Sequence, residues 1–198
     1  MPVRVIAGTA RGRRLKMVPG DSTRPVMDRV KEACFSIIGR DIIGARFLDL
    51  YAGTGSVGIE ALSRGAARAV FVELDRLAVQ TIHENLKLTG LADRAIVRRA
   101  DVLHLLQQPA AEAFDFIYIA PPQYKGLWLQ TLAALDANPA WIPPGKTVIV
   151  QIDPSEQKPA AFKHLSPYDE RRYGKTLLWF FQAHDSLPTS LPRRVDAQ

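Results

Sequence analysis

The sequence predicts an α/β domain built on a doubly wound, mostly parallel sheet. From Ala45 onward, short apolar runs alternate with helix-patterned stretches, as strands joined by crossover helices require. The first of these runs leads straight into a glycine turn, Gly53-Thr54-Gly55-Ser56-Val57-Gly58, and then into a helix. The last two strand-like runs flank Gly174 and read as an antiparallel hairpin at the edge of the sheet.

Residues 3–18 read as a small β-hairpin with Thr9 to Gly12 as its turn and Arg11, Arg13, Arg14 and Lys16 exposed. Asp21 to Arg24 form a loop, and Pro25 opens a helix that runs to about Ile38. Val30, Ala33, Cys34, Ile37 and Ile38 make its apolar stripe, leaving Arg24, Arg29 and Lys31 available to a partner. Strands follow at 46–50, 69–73, 95–98, 114–119 and 147–152. Between the second and third, Asp75 to Leu88 form a helix closed by Gly90. A short helix follows Asp101, and Gly126 to Ala137 form another, anchored by Trp128 and its leucines. Leu165 to Tyr173 and Lys175 to Gln182 make the final hairpin. The chain thus divides into a basic extension (1–40), a sheet domain (41–183) and a tail (184–198) with few apolar side chains, expected to be disordered.

At 198 residues, with 47% hydrophobic and 23% charged residues, the chain suits one substantial globular domain. No apolar run approaches the length of a membrane span. A single cysteine, Cys34, excludes an internal disulfide and fits a reducing, cytoplasmic setting; a monomer is expected. His83, His104, His164 and His184 lack metal-like spacing and read as surface residues, so no metal is expected. Net charge is +6, and its distribution is informative: residues 1–40 hold nine Lys and Arg against three Asp and Glu, whereas the rest of the chain holds seventeen of each. That asymmetry argues for a polyanion-binding element on a neutral domain. An organellar leader or a merely solvated basic face are the rival readings, and the β-like Val3-Arg4-Val5-Ile6 with Gly8, Gly12 and Gly20 argues against an amphipathic leader helix.

Gly53, Gly55 and Gly58 match a fingerprint shared by NAD, FAD and S-adenosylmethionine sites. Glu73 ends the second strand eighteen residues after Gly55, where a carboxylate can accept from a ribose diol. Asp49, just before the turn, favours the ammonium and sulfonium of S-adenosylmethionine and would oppose a dinucleotide pyrophosphate; its alternative use is to tie down the loop backbone. Asp49, Glu73, Asp101 and Ala120 all stand at strand ends and are expected on one rim of the sheet.

The second informative stretch is Phe114-Asp115-Phe116-Ile117-Tyr118-Ile119-Ala120-Pro121-Pro122-Gln123-Tyr124. Two prolines at the end of a buried strand give a stiff turn with outward carbonyl acceptors, and Tyr124 can stack on a flat base. Alone, Pro-Pro would be no more than a strand-terminating turn.

These stretches together resemble amino methyltransferases with an Asp/Asn-Pro-Pro-aromatic motif, and more narrowly the RsmD family, which methylates the N2 amine of a guanine in 16S ribosomal RNA. The matching residues are Arg4-Val5-Ile6-Ala7-Gly8 with Arg11-Gly12-Arg13, Arg24-Pro25 with Asp28-Arg29-Val30-Lys31-Glu32, Asp49-Leu50-Tyr51-Ala52-Gly53-Thr54-Gly55 running on to Glu60-Ala61-Leu62-Ser63-Arg64-Gly65-Ala66, and Arg172-Tyr173-Gly174-Lys175-Thr176. The resemblance spans nearly all of residues 3–182. It implies a Rossmann-like fold whose seven-stranded sheet ends in an antiparallel hairpin. It also implies S-adenosyl-L-methionine as methyl donor and S-adenosyl-L-homocysteine as product, held by Asp49, Tyr51, Ala52, Gly53, Gly55, Glu73, Leu74, Asp101, Val102 and Ala120. The turn Ala120-Pro121-Pro122-Gln123-Tyr124 becomes the catalytic segment. Arg4, Arg11, Arg13, Arg14, Arg24, Arg29 and Lys125 are implied contacts to ribosomal RNA, within the small subunit or an assembly intermediate. The sequence departs from the family pattern at Val26, where a Thr is expected, and at Ala120, where the motif acid is expected; Gln123 stands at the aromatic position, with Tyr124 one place later. Gln123 is the candidate to reach into the gap left by the missing acid. A DNA amino-methyltransferase and an RNA-binding homologue impaired by Ala120 are the alternatives; an NAD-dependent oxidoreductase is disfavoured by Asp49.

Overall fold

Runs of apolar residues become strands where both of their faces are covered. β1 (Arg46–Leu50) is buried at every position but the first. Chain order then gives α2 (Ser56–Ser63), β2 (Arg68–Glu73), α3 (Arg76–Thr89), β3 (Ala95–Arg99), α4 (Val102–Leu106), β4 (Phe116–Ile119), α5 (Leu127–Ala137), β5 (Thr147–Ile152), β6 (Leu165–Tyr173) and β7 (Thr176–Ala183), all preceded by α1 (Asp28–Ile38). The computed structural model describes residues 3–20 and 26–185. The expected loop at 21–24, the opening of α1 at Pro25 and most of the 184–198 tail lie outside the described residues, and so does Arg24.

The seven strands form one sheet in the order β3-β2-β1-β4-β5-β7-β6. The first five pair in parallel, while β7 runs antiparallel to β5 and to β6. Two side-chain layers follow from the period-two alternation of the strands. Phe47, Phe71, Tyr118 and Ile149 pack on one face beneath α1, α2 and α3. Leu48, Val70, Ile117 and Val148 pack on the other with Trp128, Leu132 and Leu135 of α5. The order reverses between β1 and β4, which opens a crevice beyond their carboxyl ends.

Local signals explain the element ends. Asp75 accepts from the Ala78 N–H at 2.8 Å and caps α3, and Gly90, with φ +71, closes it. β4 starts two residues later than expected because the Phe114 N–H donates to the Trp141 carbonyl (3.0 Å) and its ring stacks on Trp141. β6 is interrupted by a register shift between Pro167 and Asp169.

The amino-terminal arm differs from the expected hairpin. It has one isolated antiparallel bridge, Arg4 to Arg14, supported by Val5 N to Arg13 O (2.9 Å) and Leu15 N to Val3 O (2.8 Å). Several of its other donors go to α2 instead of to a partner strand. Ile6 N and Ala7 N donate to the two carboxylate oxygens of Glu60 (2.8 and 3.0 Å), and Ala10 N donates to Ser63 Oγ (2.9 Å). At Gly8, φ is +83, and a Cβ there would lie 1.8 Å from the Ser63 carbonyl oxygen, so only glycine permits this approach. Val3, Val5, Ala10 and Leu15 join the same apolar layer as Phe47 and Phe71.

Lys31, expected to be available to a partner, is buried with its side chain 0% exposed. Its Nζ donates to the Arg4 carbonyl at 2.5 Å and lies 3.7 Å from Glu60 Oε2. Burial lowers its pKa, against the pull of the Glu60 and Asp28 carboxylates. Glu60 also accepts from Arg64 Nε at 2.7 Å, and the Arg64 guanidinium sits 5.0 Å from the Phe35 ring centroid. The charged groups of α1 and α2 thus fasten the arm from within.

Candidate active site

The site grows out of the end of β1. Asp49 is 2% exposed, and its Oδ2 accepts from the Gly58 N–H of α2 at 2.9 Å. Burial pushes its carboxyl up to about 8; the Gly58 hydrogen bond opposes the shift and the nearby Glu73 charge adds to it. The acid therefore ties down the backbone, one of its two anticipated uses, and it also faces the cleft described below. Gly58 itself is a packing glycine: a Cβ there would come 2.3 Å from Phe71 Cε1, so its absence lets α2 lie on β2.

Glu73, at the end of β2, binds three backbone donors. Gly53 N donates to Oε2 (2.9 Å), and Leu74 N (2.8 Å) and Asp75 N (3.0 Å) donate to Oε1. About one of the four acceptor positions of a carboxylate is left for a ligand. Because the Gly53 N–H is committed to Glu73, it is not offered to a phosphate. Asn85 of α3, fully buried, donates to the Thr54 carbonyl (2.9 Å) and the Lys16 carbonyl (3.1 Å), joining the glycine loop to the arm. Asp101 caps α4 by accepting from His104 N at 2.8 Å and is exposed.

Beyond β4, the turn from Ala120 to Tyr124 is strapped to the segment after β5. Tyr124 N donates to Glu156 Oε2 (2.8 Å) and its hydroxyl to Asp153 Oδ2 (2.9 Å), while the residue as a whole is 66% exposed. Tyr124 (φ +62) and Tyr51 (φ +60) are the positive-φ residues other than glycine among the described residues. Such backbone strain persists where surrounding contacts hold it, commonly at binding sites. Here Tyr51 is held by its hydroxyl, 2.8 Å from Thr131 Oγ1.

These segments enclose a cleft of about 900 Å³. Asp49, Tyr51, Ala52, Gly53, Glu73, Leu74, Asp101 and Val102 line it, as does the whole stretch from Ala120 to Lys125. Gly55 does not; it stands behind the turn at the amino end of α2, with φ +76 and Ile82 against it. Sequence reasoning missed Thr54, Arg76, Arg99, Tyr118 and Gln151, all of which line the cleft. Gln151 near the end of β5 obeys the strand-end rule that found the three acids and was open to the same argument. Tyr118 was not, since it reads as one more strand residue.

Arg4, Arg11, Arg13, Arg14 and Arg29 are exposed and stand outside the cleft. Arg4 pairs with Asp28 at 2.8 Å and Arg29 lies over the Tyr173 ring, whereas Arg11, Arg13 and Arg14 have no ion-pair partner among the described residues. His83 and His104 are exposed and His164 and His184 half-buried. Cys34 is buried, and burial pushes its thiol up to about 12, which fits a packing role. Among the described residues no helix is long and apolar enough to cross a membrane.

Residues 3–182 match the family model described as Conserved hypothetical protein 95, the RsmD family. The chain belongs to that family. Its match includes the arm, so residues 3–20 are part of the RsmD family unit. The ribosomal RNA small subunit methyltransferase D of Escherichia coli K12 is 31% identical over 180 residues, covering 91% of this chain and 89% of its own length. A solved E. coli protein, provisionally titled the methyltransferase yhhF, superposes with a TM-score of 0.82 at 31% identity, over 93% of this chain and 99% of its own. An RNA methyltransferase of Salinibacter ruber, solved with S-adenosyl-L-homocysteine, shares the fold at a TM-score of 0.63 and 19% identity, over 85% and 99% of the two chains.

Proposed function

We propose that this RsmD family member is an S-adenosylmethionine-dependent methyltransferase acting on the exocyclic N2 amine of a guanine in small-subunit ribosomal RNA. The observation that carries the reading is the single cleft that gathers Asp49, Glu73 and Asp101 beside the Ala120–Tyr124 turn. Four acids line the cleft, Asp49, Glu73, Asp75 and Asp101, beside Arg76, Arg99 and Lys125; carboxylates at the strand ends suit a cationic, hydroxyl-rich donor, and the Gly53 N–H that a pyrophosphate would use is already taken. The relatives named as ribosomal RNA methyltransferases and the fold neighbour bound to S-adenosyl-L-homocysteine agree with that chemistry.

Asp49 would hold the methionine end of the donor with the Tyr51–Gly53 backbone, Glu73 its ribose, Asp101 the adenine amine, with Leu74 and Val102 as apolar contacts. When bound, S-adenosylmethionine supplies an electrophilic methyl group and departs as a neutral thioether. A guanine N2 lone pair is delocalised into the ring, so the amine must be oriented and its developing positive charge met by acceptors. The carbonyls of Ala120 and Pro121 serve as acceptors, and the proton displaced from N2 leaves to solvent. Tyr124 offers a stacking face for the extruded base. The Ala120 side chain lacks an acceptor, which also keeps open the reading of an RNA-binding homologue without catalysis.

Single-turnover transfer of labelled methyl to small-subunit RNA from cells lacking this protein, followed by mapping of the modified nucleotide, tests the proposal. Label at a guanine N2 is the expected result. Label on DNA amines only, or on nothing until Ala120→Asp is introduced, overturns it.

A further inference from the structure

The side chain missing at Ala120 leaves a place that a neighbouring strand can fill. β4 and β5 pair in parallel with Tyr118 opposite Ile149 and Ile119 opposite Val150. Carried one residue further, that register sets Ala120 beside Gln151. By strand alternation, Tyr118, Ala120 and Gln151 lie on one face of the sheet. All three line the cleft.

Gln151 is not an ordinary surface amide. The Tyr118 hydroxyl donates to its Oε1 at 2.5 Å. Tyr118 is 1% exposed and burial raises its pKa well above the ordinary phenol value, so the hydroxyl keeps its proton and acts as a donor. The amide is thereby oriented, with its oxygen toward Tyr118. Its Nε2 hydrogens have no acceptor among the described residues, although the side chain is half-buried. The carbonyl oxygen retains a second lone pair.

We propose that Gln151 reads the target base through the minor-groove edge formed by its N2 amine and N3, with Oε1 accepting from N2–H and Nε2 donating to N3. The inference rests on the guanine-N2 reading above. A carboxamide presents an acceptor next to a donor, which complements the donor (N2–H) and acceptor (N3) that neighbour each other on guanine. The Tyr118 hydroxyl holds the amide in the orientation that makes this match and is a positioning residue. Gln151 would then supply the acceptor that Ala120 lacks, and add a contact that a carboxylate cannot make, since a carboxylate has no N–H for N3. Gln123, in the turn itself, is not required for that role.

The test uses the full-length protein and a small-subunit RNA fragment carrying the mapped guanine, or 3-deazaguanine, in which C–H replaces N3, at that position. Gln151→Leu should lower kcat/KM for transfer about ten- to a hundredfold, as expected for a lost hydrogen-bond pair felt in the transition state. Its affinity for S-adenosyl-L-homocysteine, read by calorimetry, should stay within about twofold of wild type. Wild type should discriminate against 3-deazaguanine, and Gln151→Leu should not. Tyr118→Phe should blunt the same discrimination, because the amide is then free to turn over. Gln151→Glu should favour the 3-deaza substrate, because its carboxylate repels N3. Equal transfer by wild type and Gln151→Leu, or equal discrimination against 3-deazaguanine by both, overturns the inference alone. Absence of transfer by wild type to any guanine overturns the functional reading, and this inference with it.

Discussion

Asp49 is a buried carboxyl whose ordinary proton affinity has been raised, to about 8. A group whose folded value lies above its unfolded one binds more protons in the folded state, so stability falls as pH rises from the ordinary carboxylate range, near 4, to about 8. Asp49→Asn, which keeps an acceptor for the Gly58 N–H, should flatten that dependence in denaturant titrations at pH 5 and pH 8. A cationic donor favours the ionised form, so binding of S-adenosylmethionine at pH 7 should release a proton and tighten toward pH 8. Calorimetry in buffers of different ionisation enthalpy reads this directly. No proton release, or the same release from Asp49→Asn, would separate Asp49 from the donor's charge. The acid itself was legible in the sequence as a strand-end carboxylate; of its two readings, the structure shows the backbone tie, through Gly58.

At the scale of elements, apolar period and caps were enough for most of the sheet, because those signals are local. Asp75 and Gly90 bracket α3 in the sequence as they do in space. What stayed hidden was tertiary. Glu60, Ser63 and Lys31 read as polar positions on helices, yet they take the backbone donors and a carbonyl of a segment more than twenty residues away. No local pattern distinguishes such residues from solvated ones. Gly8→Ala, with φ +83 and the Ser63 carbonyl in its path, should lift the arm from α2. Hydrogen exchange at the Ile6, Ala7 and Ala10 amides should accelerate while β1 stays protected; unchanged exchange would mean that the clash is relieved without release. Gly58→Ala presses a methyl onto the Phe71 ring and should cost about 1–3 kcal/mol in urea unfolding. An effect near zero would show that Phe71 can move aside.

For the molecule as a whole, the excess charge of the first forty residues survives as an exposed face, Arg11, Arg13 and Arg14, on an arm anchored by its own apolar residues. Deleting residues 1–20 would therefore strip part of the core as well as the charge, and point variants are the cleaner probe. Replacing Arg11, Arg13 and Arg14 together with Gln should weaken RNA binding and reduce the slope of log K against log salt by about 0.7–0.9 for each lost phosphate contact. Donor affinity should not change, because none of the three lines the cleft. An unaltered salt slope would assign RNA contact to another surface.

β6, which follows β7 as the last strand of the sheet, also decides how copies of the molecule meet. An outermost strand offers unpaired backbone groups to any passing chain, and long regular ones recruit a second copy. Here Pro167 removes one donor, the shift before Asp169 breaks the repeat, and exposed Glu170, Arg171 and Arg172 place charge where a partner strand would lie. Pro167→Val combined with Glu170→Val, Arg171→Val and Arg172→Val should give a more regular, far less charged template. Light scattering should then show self-association growing with concentration beyond that of wild type. The irregularity of β6 is in this sense a barrier against templated aggregation, placed where an otherwise open sheet is most exposed to it.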